Sequence, residues 1–346
     1  MSARQVEARV SAVHPRETTS LFGHHDAEMA LLNAYRSGRV PHAWLIGGPA
    51  GIGKATLAYR MARFVLAHRN PLSADVHRAE SLRVDSSDQV ARQVAAGAHG
   101  GLLTLERTRN DKGVLRTVIT VDETRETISF FGSTAAGEGW RVCVVDTVDE
   151  LNPNAANALL KVLEEPPQQS LFLLVSNAPA RVLPTILSRC RKLLLRPLAS
   201  SDVLRAAADA SAMAPDDPAL IEATEAAEGS VARAITLLGG DALKLQQRAA
   251  TLLAALPSVD PRELHALGDA LGSSDRVALA AFIDSVDRWF SERLRADQAD
   301  ANLPRLARLA EVWEKINRAA RDTAEYNLER KPLVFSVFGL LAEATR

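Results

Sequence analysis

The chain has 346 residues, too many for one ordinary hydrophobic core, and its 47% hydrophobic content can fill roughly two or three. Its 42 acidic and 41 basic side chains leave a net charge of -1. That balance excludes a protein that coats nucleic acid by bulk charge, though not one making a few placed phosphate contacts. Met1 to Val13 has no apolar core, so no secretory leader is expected. No apolar run approaches the roughly 18 residues of a membrane span. The two cysteines, Cys143 and Cys190, are far apart and not in CxxC spacing. A reducing cytoplasmic setting, without disulfides or a cysteine zinc site, is the expectation. The adjacent His24 and His25 do not share a helix face, so they read as residues of a loop or helix start rather than as metal ligands.

Taken in chain order, short apolar runs alternate with helical patterns over residues 1–197, the mark of an α/β domain with a parallel sheet. Strands are expected at Ala43 to Gly47, Arg116 to Val121, Arg141 to Val145, Leu171 to Val175 and Lys192 to Leu195. The polar, irregular stretch from Leu72 to Gly101 reads as an insertion or exposed loop. After Arg196-Pro197 strand signals vanish. Asp202 to Leu238 can hold a small helical domain closed by Gly239-Gly240, and several amphipathic helices follow from Leu243. One carries Leu279, Phe282, Ile283, Val286, Phe290 and Leu294 in a single stripe; another carries Leu306, Leu309, Val312, Trp313 and Ile316. A bundle core and a partner surface both fit such stripes, the bundle core better.

The first expected strand runs into Gly48-Pro49-Ala50-Gly51-Ile52-Gly53-Lys54-Ala55-Thr56 and then a helical pattern. Strand, glycine loop, helix is the setting of a Walker A phosphate loop. Gly48, Gly51 and Gly53 let backbone N–H groups turn inward, and Lys54 can reach outer phosphates. The magnesium-binding hydroxyl after the lysine is missing. Ala55 stands there, and Thr56 comes one residue late, about 100° around a helix. Arg141 to Asp146 is an apolar strand ending in Asp, as in Walker B, where the carboxylate holds magnesium. The residue after it is Thr147, which cannot take a proton from water as a Glu does. Asp149 and Glu150 follow where the chain leaves the strand, and neither is expected to reach the γ-phosphate.

Asn152-Pro153 then opens a helix in the favoured order of polar cap and proline. The helix reads Asn154-Ala155-Ala156-Asn157-Ala158-Leu159-Leu160-Lys161-Val162-Leu163-Glu164-Glu165 and stops at Pro166-Pro167. This stretch resembles the segment shared by the gamma and delta-prime subunits of the bacterial DNA polymerase III clamp loader, members of the AAA+ family. Leu171 to Asn177 is similar to the family's sensor 1 strand, and Ser188-Arg189-Cys190 to its Ser-Arg-Cys motif. The likeness is strongest from Ala43 to Pro197, continues through Gly229-Ser230, and thins in the last hundred residues, where Asn327-Leu328-Glu329 still fits the final helix region.

The resemblance implies an AAA+ P-loop domain over 1–197, a small helical lid over 198–242, and an all-α collar domain for oligomerisation over 243–346. A hydrolysing motor subunit should keep a hydroxyl at 55, Glu at 147 and a sensor 2 arginine after Gly-Ser. Here Ala55, Thr147 and Ala232 stand instead, with Arg233 one place late. These departures point to the non-hydrolysing, delta-prime type. Such a subunit supplies Arg189 in trans to ATP on an adjacent motor subunit and helps load the sliding clamp onto primed DNA within the polymerase holoenzyme; simple pairing with a local carboxylate is the competing reading for Arg189. Implied partners are the motor (gamma/tau) and delta subunits, the clamp and primer-template DNA. Gly48, Gly51, Gly53, Lys54, Thr56 and Asp146 form a degenerate site for ATP or ADP with magnesium, held without turnover if at all. Many such subunits carry a four-cysteine zinc module after the P-loop helix; Leu72 to His99 contains no cysteine, so no zinc is expected. Arg125 and Lys161 lie in segments that resemble DNA-facing helices. Solvated surface charge is the competing reading for both. A hydrolysing gamma/tau-type subunit, or an unrelated P-loop phosphotransferase, remains the alternative.

Overall fold

A computed structural model describes residues 13–108, 116, 118–132, 139–238, 241–272, 276–297, 303–326 and 328–345. The chain divides into two compact units, Ser11–Ala234 and Ile235–Arg346. The first begins with α1 (His25–Arg36), β1 (Ala43–Gly47) and α2 (Lys54–Ala67), then α3 (Ala74–Arg78), α4 (Gln89–Ala95) and β2 (Leu102–Glu106). It continues through α5 (Val121–Gly132), β3 (Arg141–Asp146), α6 (Pro153–Glu164), β4 (Ser170–Ser176), α7 (Pro184–Leu187) and β5 (Arg191–Leu194). The helices α8 (Ser200–Ser211), α9 (Pro218–Ala226) and the start of α10 (Val231–Leu237) complete it.

The strands form one parallel sheet in the order β2-β3-β4-β1-β5. Helices cover both faces, so β1 and β4 are buried at every position and read as apolar runs rather than alternating ones. Alternation survives in which face each residue feeds. Trp44, Ile46, Val142, Val144, Leu171 and Leu173 pack with α1 and α2, while Leu45, Cys143, Val145, Phe172 and Leu174 pack with Phe131 of α5 and Leu159 and Leu163 of α6. Because all strands run the same way, their outgoing loops gather at one edge of the sheet, the usual place for a ligand in such folds.

Two expectations are corrected. Arg116 to Val121 is not a strand. Ile119 makes a single bridge to Leu151, Val121 opens α5, and residue 117 lies outside the described residues. The missing strand is β2, which pairs with β3 from Leu102 to Glu106. The reason is bonding at the helix start: the Glu123 carboxylate accepts from both the backbone N–H and the hydroxyl of Thr120. This local bonding outweighs the β-branched composition of Val118-Ile119-Thr120. Nor is Leu72 to Gly101 merely an exposed loop. Ser73 caps α3 and Asp88 caps α4, and Val76, Leu82 and Val94 are fully buried in the core.

The second unit is all helical: α11 (Asp241–Ala254), α12 (Pro261–Gly272), α13 (Arg276–Asp297), α14 (Leu303–Glu325) and α15 (Arg330–Thr345). Phe282, Val286 and Phe290 of α13 and Leu309, Val312 and Ile316 of α14 pack with Leu267, Val334 and Phe338. The two stripes therefore fill a bundle core of their own. The Leu306 side chain, Asn327 and Gly239-Gly240 lie outside the described residues. Among the described residues no helix is long and apolar enough to cross a membrane.

Candidate functional site

β1 delivers the glycine loop from the interior of the sheet, between β4 and β5. Gly48 N–H donates to Ser176 O at 3.2 Å, pinning the loop to the end of β4. A side chain at Gly48 would put Cβ 2.6 Å from Leu195 O. Gly51 has φ +75, and a Cβ there would lie 2.3 Å from Ser230 Oγ and 2.8 Å from Ala232 Cβ. Gly53 has φ +98 and caps α2. Left-handed backbone at two positions, and backbone packed on backbone at the third, are why these places need glycine.

Lys54 opens α2 and is almost wholly buried, its Nζ donating to Pro49 O within the loop itself. Burial lowers its ammonium pKa to about 8, against the pull of Asp146 and Asp149. Ala55 packs against the apolar core, and Thr56 is half-buried one helical step further on. His24, in the left-handed region just before α1, donates from Nε2 to Ile52 O at 2.7 Å. Burial holds this imidazole below its ordinary pKa, keeping it neutral. His24 is therefore a strut under the loop, a role that its neighbour in sequence gave no sign of.

The start of α10 closes the loop from above. Ser230 Oγ donates to Ala50 O at 3.1 Å and Ala232 N–H to Gly51 O at 3.2 Å. Gly229, with φ +85, lets this turn pass within 2.7 Å of the Leu198 backbone, measured from where a Cβ would be. Arg233, one residue beyond Ala232, pairs with Glu228 at 3.7 Å.

Asp146 ends β3 in register with Glu106 at the end of β2. Burial, and then the neighbouring Glu106, raise the Asp146 carboxyl above its ordinary pKa; His14, Lys54 and Arg107 oppose this. The Thr147 hydroxyl beside it is buried and has no hydrogen-bond partner. Asp149 accepts from Ser176 Oγ at 2.8 Å, from Asn177 N–H, and from Ala178 N–H at 3.4 Å. Glu150 pairs with Arg107 at 2.9 Å. Both later acids are thus tied to neighbouring segments. The backbone of the glycine loop suits an anion, while Ala55 offers no oxygen to magnesium and Thr147 no carboxylate to take a proton from water. Among the described residues no cluster of three or more His, Cys, Asp or Glu is placed to hold a metal ion.

Arg189 follows α7, away from the glycine loop in the chain. Its Nη1 donates to Thr185 O at 2.8 Å and to Ser188 Oγ at 3.3 Å, and its Nη2 lies 2.7 Å from Glu164 Oε1 at the end of α6. Cys190 is half-buried, its thiol pushed up to about 11, and Cys143 is fully buried and pushed higher still. Neither is a reactive thiol at neutral pH. Arg125 is exposed on α5 and pairs with Asp122 at 3.1 Å; Lys161 is exposed on α6, which packs against α5. A carboxylate partner for Arg189 was the competing expectation, but which one it is could not be read because the whole of β4 separates Glu164 from Arg189.

A sequence profile of the family described as DNA polymerase III, delta subunit matches residues 23–199. The delta-prime subunit of Pseudomonas aeruginosa is 38% identical over 149 residues, covering 43% of this chain and 41% of that protein. The Escherichia coli delta-prime subunit is 30% identical over 233 residues, covering 66% of this chain and 64% of that protein. The tau subunit of Bacillus subtilis is 24% identical over 249 residues, covering 69% of this chain and 41% of that protein. The chain thus spans less than two thirds of the length of each of these relatives. The profile covers the sheet, the glycine loop and the Arg189 segment, and on that extent the chain belongs to the DNA polymerase III delta-prime family.

Proposed function

We propose that the chain is the non-hydrolysing member of a clamp loader and delivers Arg189 to ATP bound by an adjacent motor subunit of the gamma/tau type. The observation that carries this is the contrast between two places in one domain. The chain's own phosphate loop lacks the magnesium hydroxyl and the proton-accepting acid, while Arg189 keeps an accessible, permanently charged guanidinium in a Ser-Arg-Cys segment. In the neighbour's site a water oxygen bonds to the γ-phosphorus as the bond to the bridging oxygen breaks, leaving ADP and phosphate. Charge spreads over the transferring oxygens, and a planar fork of donors stabilises it.

The proposal extends to the division of labour along the chain. Residues 198–242 serve as the lid and 243–346 as the collar. The delta subunit, sliding clamp and primer-template DNA are the remaining partners, in the cytoplasm. Arg125 and Lys161 would meet DNA phosphates, which carry no sequence information. Gly48, Gly51, Gly53, Lys54, Thr56 and Asp146 would cradle a nucleotide without turning it over.

The test is a complex reconstituted with motor and delta subunits. Arg189→Ala should assemble and fold but lose DNA- and clamp-stimulated ATP hydrolysis. The loss should be smaller than the roughly 10³–10⁵ that a finger is worth at a single site, because other sites keep theirs. Arg189→Lys should rescue poorly. Unchanged ATPase in an assembled Arg189→Ala complex would overturn the role. The likeness to tau supports a second reading, a hydrolysing motor subunit. ATP turnover by the isolated chain, abolished by Lys54→Ala, would establish it.

A further inference from the structure

The finger reading leaves Glu164 unexplained. It is the last residue of α6, where the ends of the helix carbonyls make a negative field that disfavours a carboxylate. Neither core packing nor capping calls for it there, and it is half exposed. What it does meet is Arg189, at 2.7 Å. The guanidinium is held from two sides: Nη1 by Thr185 O and Ser188 Oγ, both local to α7, and Nη2 by this one carboxylate from another helix. Among the described residues, Glu164 is the carboxylate that neutralises its charge. Nη2 is also part of the fork that a phosphoryl group would need.

We propose that Glu164 is a parking site for Arg189, a positioning residue that holds the guanidinium charge in check until a neighbouring triphosphate replaces it. This rests on the reading of Arg189 as a finger. The pairing has the strength such a role requires. Arg189 is 33% and Glu164 50% exposed, so the pair is a solvated one and yields to a polyphosphate of higher charge. A tightly buried pair would not exchange. The carboxylate lowers the fraction of time the finger is free, and removing its charge raises that fraction by a factor of about two to five, the range a solvated pair can supply.

The experiment uses the complex with motor and delta subunits, without DNA. Glu164→Gln keeps the side-chain shape and removes the charge. It should assemble normally and raise kcat for ATP hydrolysis measurably but by less than this factor of about two to five, because only one of the sites receives Arg189, with KM nearly unchanged. Added salt should narrow the gap between wild type and variant, since salt weakens the same pair. The double variant Glu164→Gln/Arg189→Ala should behave as Arg189→Ala alone. If Arg189→Ala lowers turnover but Glu164→Gln does not raise it, the parking role is wrong and the finger stands. The parking role is equally wrong if Glu164→Gln has the same effect in the Arg189→Ala background, or if it blocks assembly. If Arg189→Ala itself changes nothing, the finger reading fails and takes the parking role with it.

Discussion

The glycine loop and its lysine are carried on α2, and what anchors α2 is a buried ion pair. Arg60 on α2 donates from Nε to Glu28 Oε1 of α1 at 2.6 Å, with side chains 9% and 7% exposed. The same Glu28 oxygen accepts from Leu82 N–H at 2.9 Å, and Arg60 Nη1 donates to Thr19 O. One carboxylate therefore joins α1, α2 and the segment that packs after α3. Glu28→Ala leaves a buried guanidinium without its counter-charge and a buried N–H without its acceptor. Breaking such a pair costs about 3–5 kcal/mol, with the orphaned N–H included rather than added because the two losses share one group. For a unit of this size each kcal/mol lowers Tm by about 2–4 °C, so the melting temperature should fall by about 6–20 °C. Thermal and denaturant unfolding of the full chain would measure it. Adding Arg60→Met to Glu28→Ala should recover most of the loss, since an apolar replacement leaves no buried charge. A Glu28→Ala loss below about 1 kcal/mol would mean the pair is effectively solvated, and would refute the reasoning.

Lys54 makes a pH-dependent prediction. Its folded pKa of about 8 lies below the ordinary 10.5, so between these values the unfolded chain binds more protons and wild-type stability rises with pH. Lys54→Met should be the more stable protein at pH 7, by at most about 3 kcal/mol, and the advantage should vanish above pH 10.5, as unfolding at a series of pH values would reveal. Gly51→Ala should cost about 1–3 kcal/mol, from its left-handed backbone and the Ser230 hydroxyl in the way; Gly100→Ala, with nothing within 4 Å, should be nearly neutral in the same denaturant titration. A truncation ending at residue 240 should keep the far-UV spectrum and cooperative melt of the sheet-bearing unit yet fail to co-elute with motor and delta subunits; co-elution at full stoichiometry would remove the collar assignment.

Much of the fold and part of the site were legible in the residues alone. Four of the five strands, the glycine loop, the proline-started helix α6 and the Arg189 segment were visible because each is encoded locally: an apolar run, glycines where φ must be positive, a cap followed by proline. The same locality misled at Arg116 to Val121, where β-branched residues spoke for a strand and the bonds from Thr120 to the Glu123 carboxylate favoured the helix start instead. That signal was present and unread. Between Leu72 and Gly101 polarity hid Val76, Leu82 and Val94, single apolar residues that form no periodic pattern yet are fully buried in the core.

By itself, then, the sequence determined which side chains are on hand for chemistry. A hydroxyl or a carboxylate is either present at a position or it is not, and Ala55, Thr147 and Arg189 say so without coordinates. Tertiary structure alone decided the company these residues keep. Asp149 is bound to the end of β4, Lys54 is folded onto its own loop, Ser230 and Ala232 fill the space above Gly51, and Glu164 meets Arg189. Lys54 apart, these pairings join segments that are distant along the chain and are brought together by the fold. Charge and hydrogen bonding act over a few ångströms of space, whatever the distance along the chain.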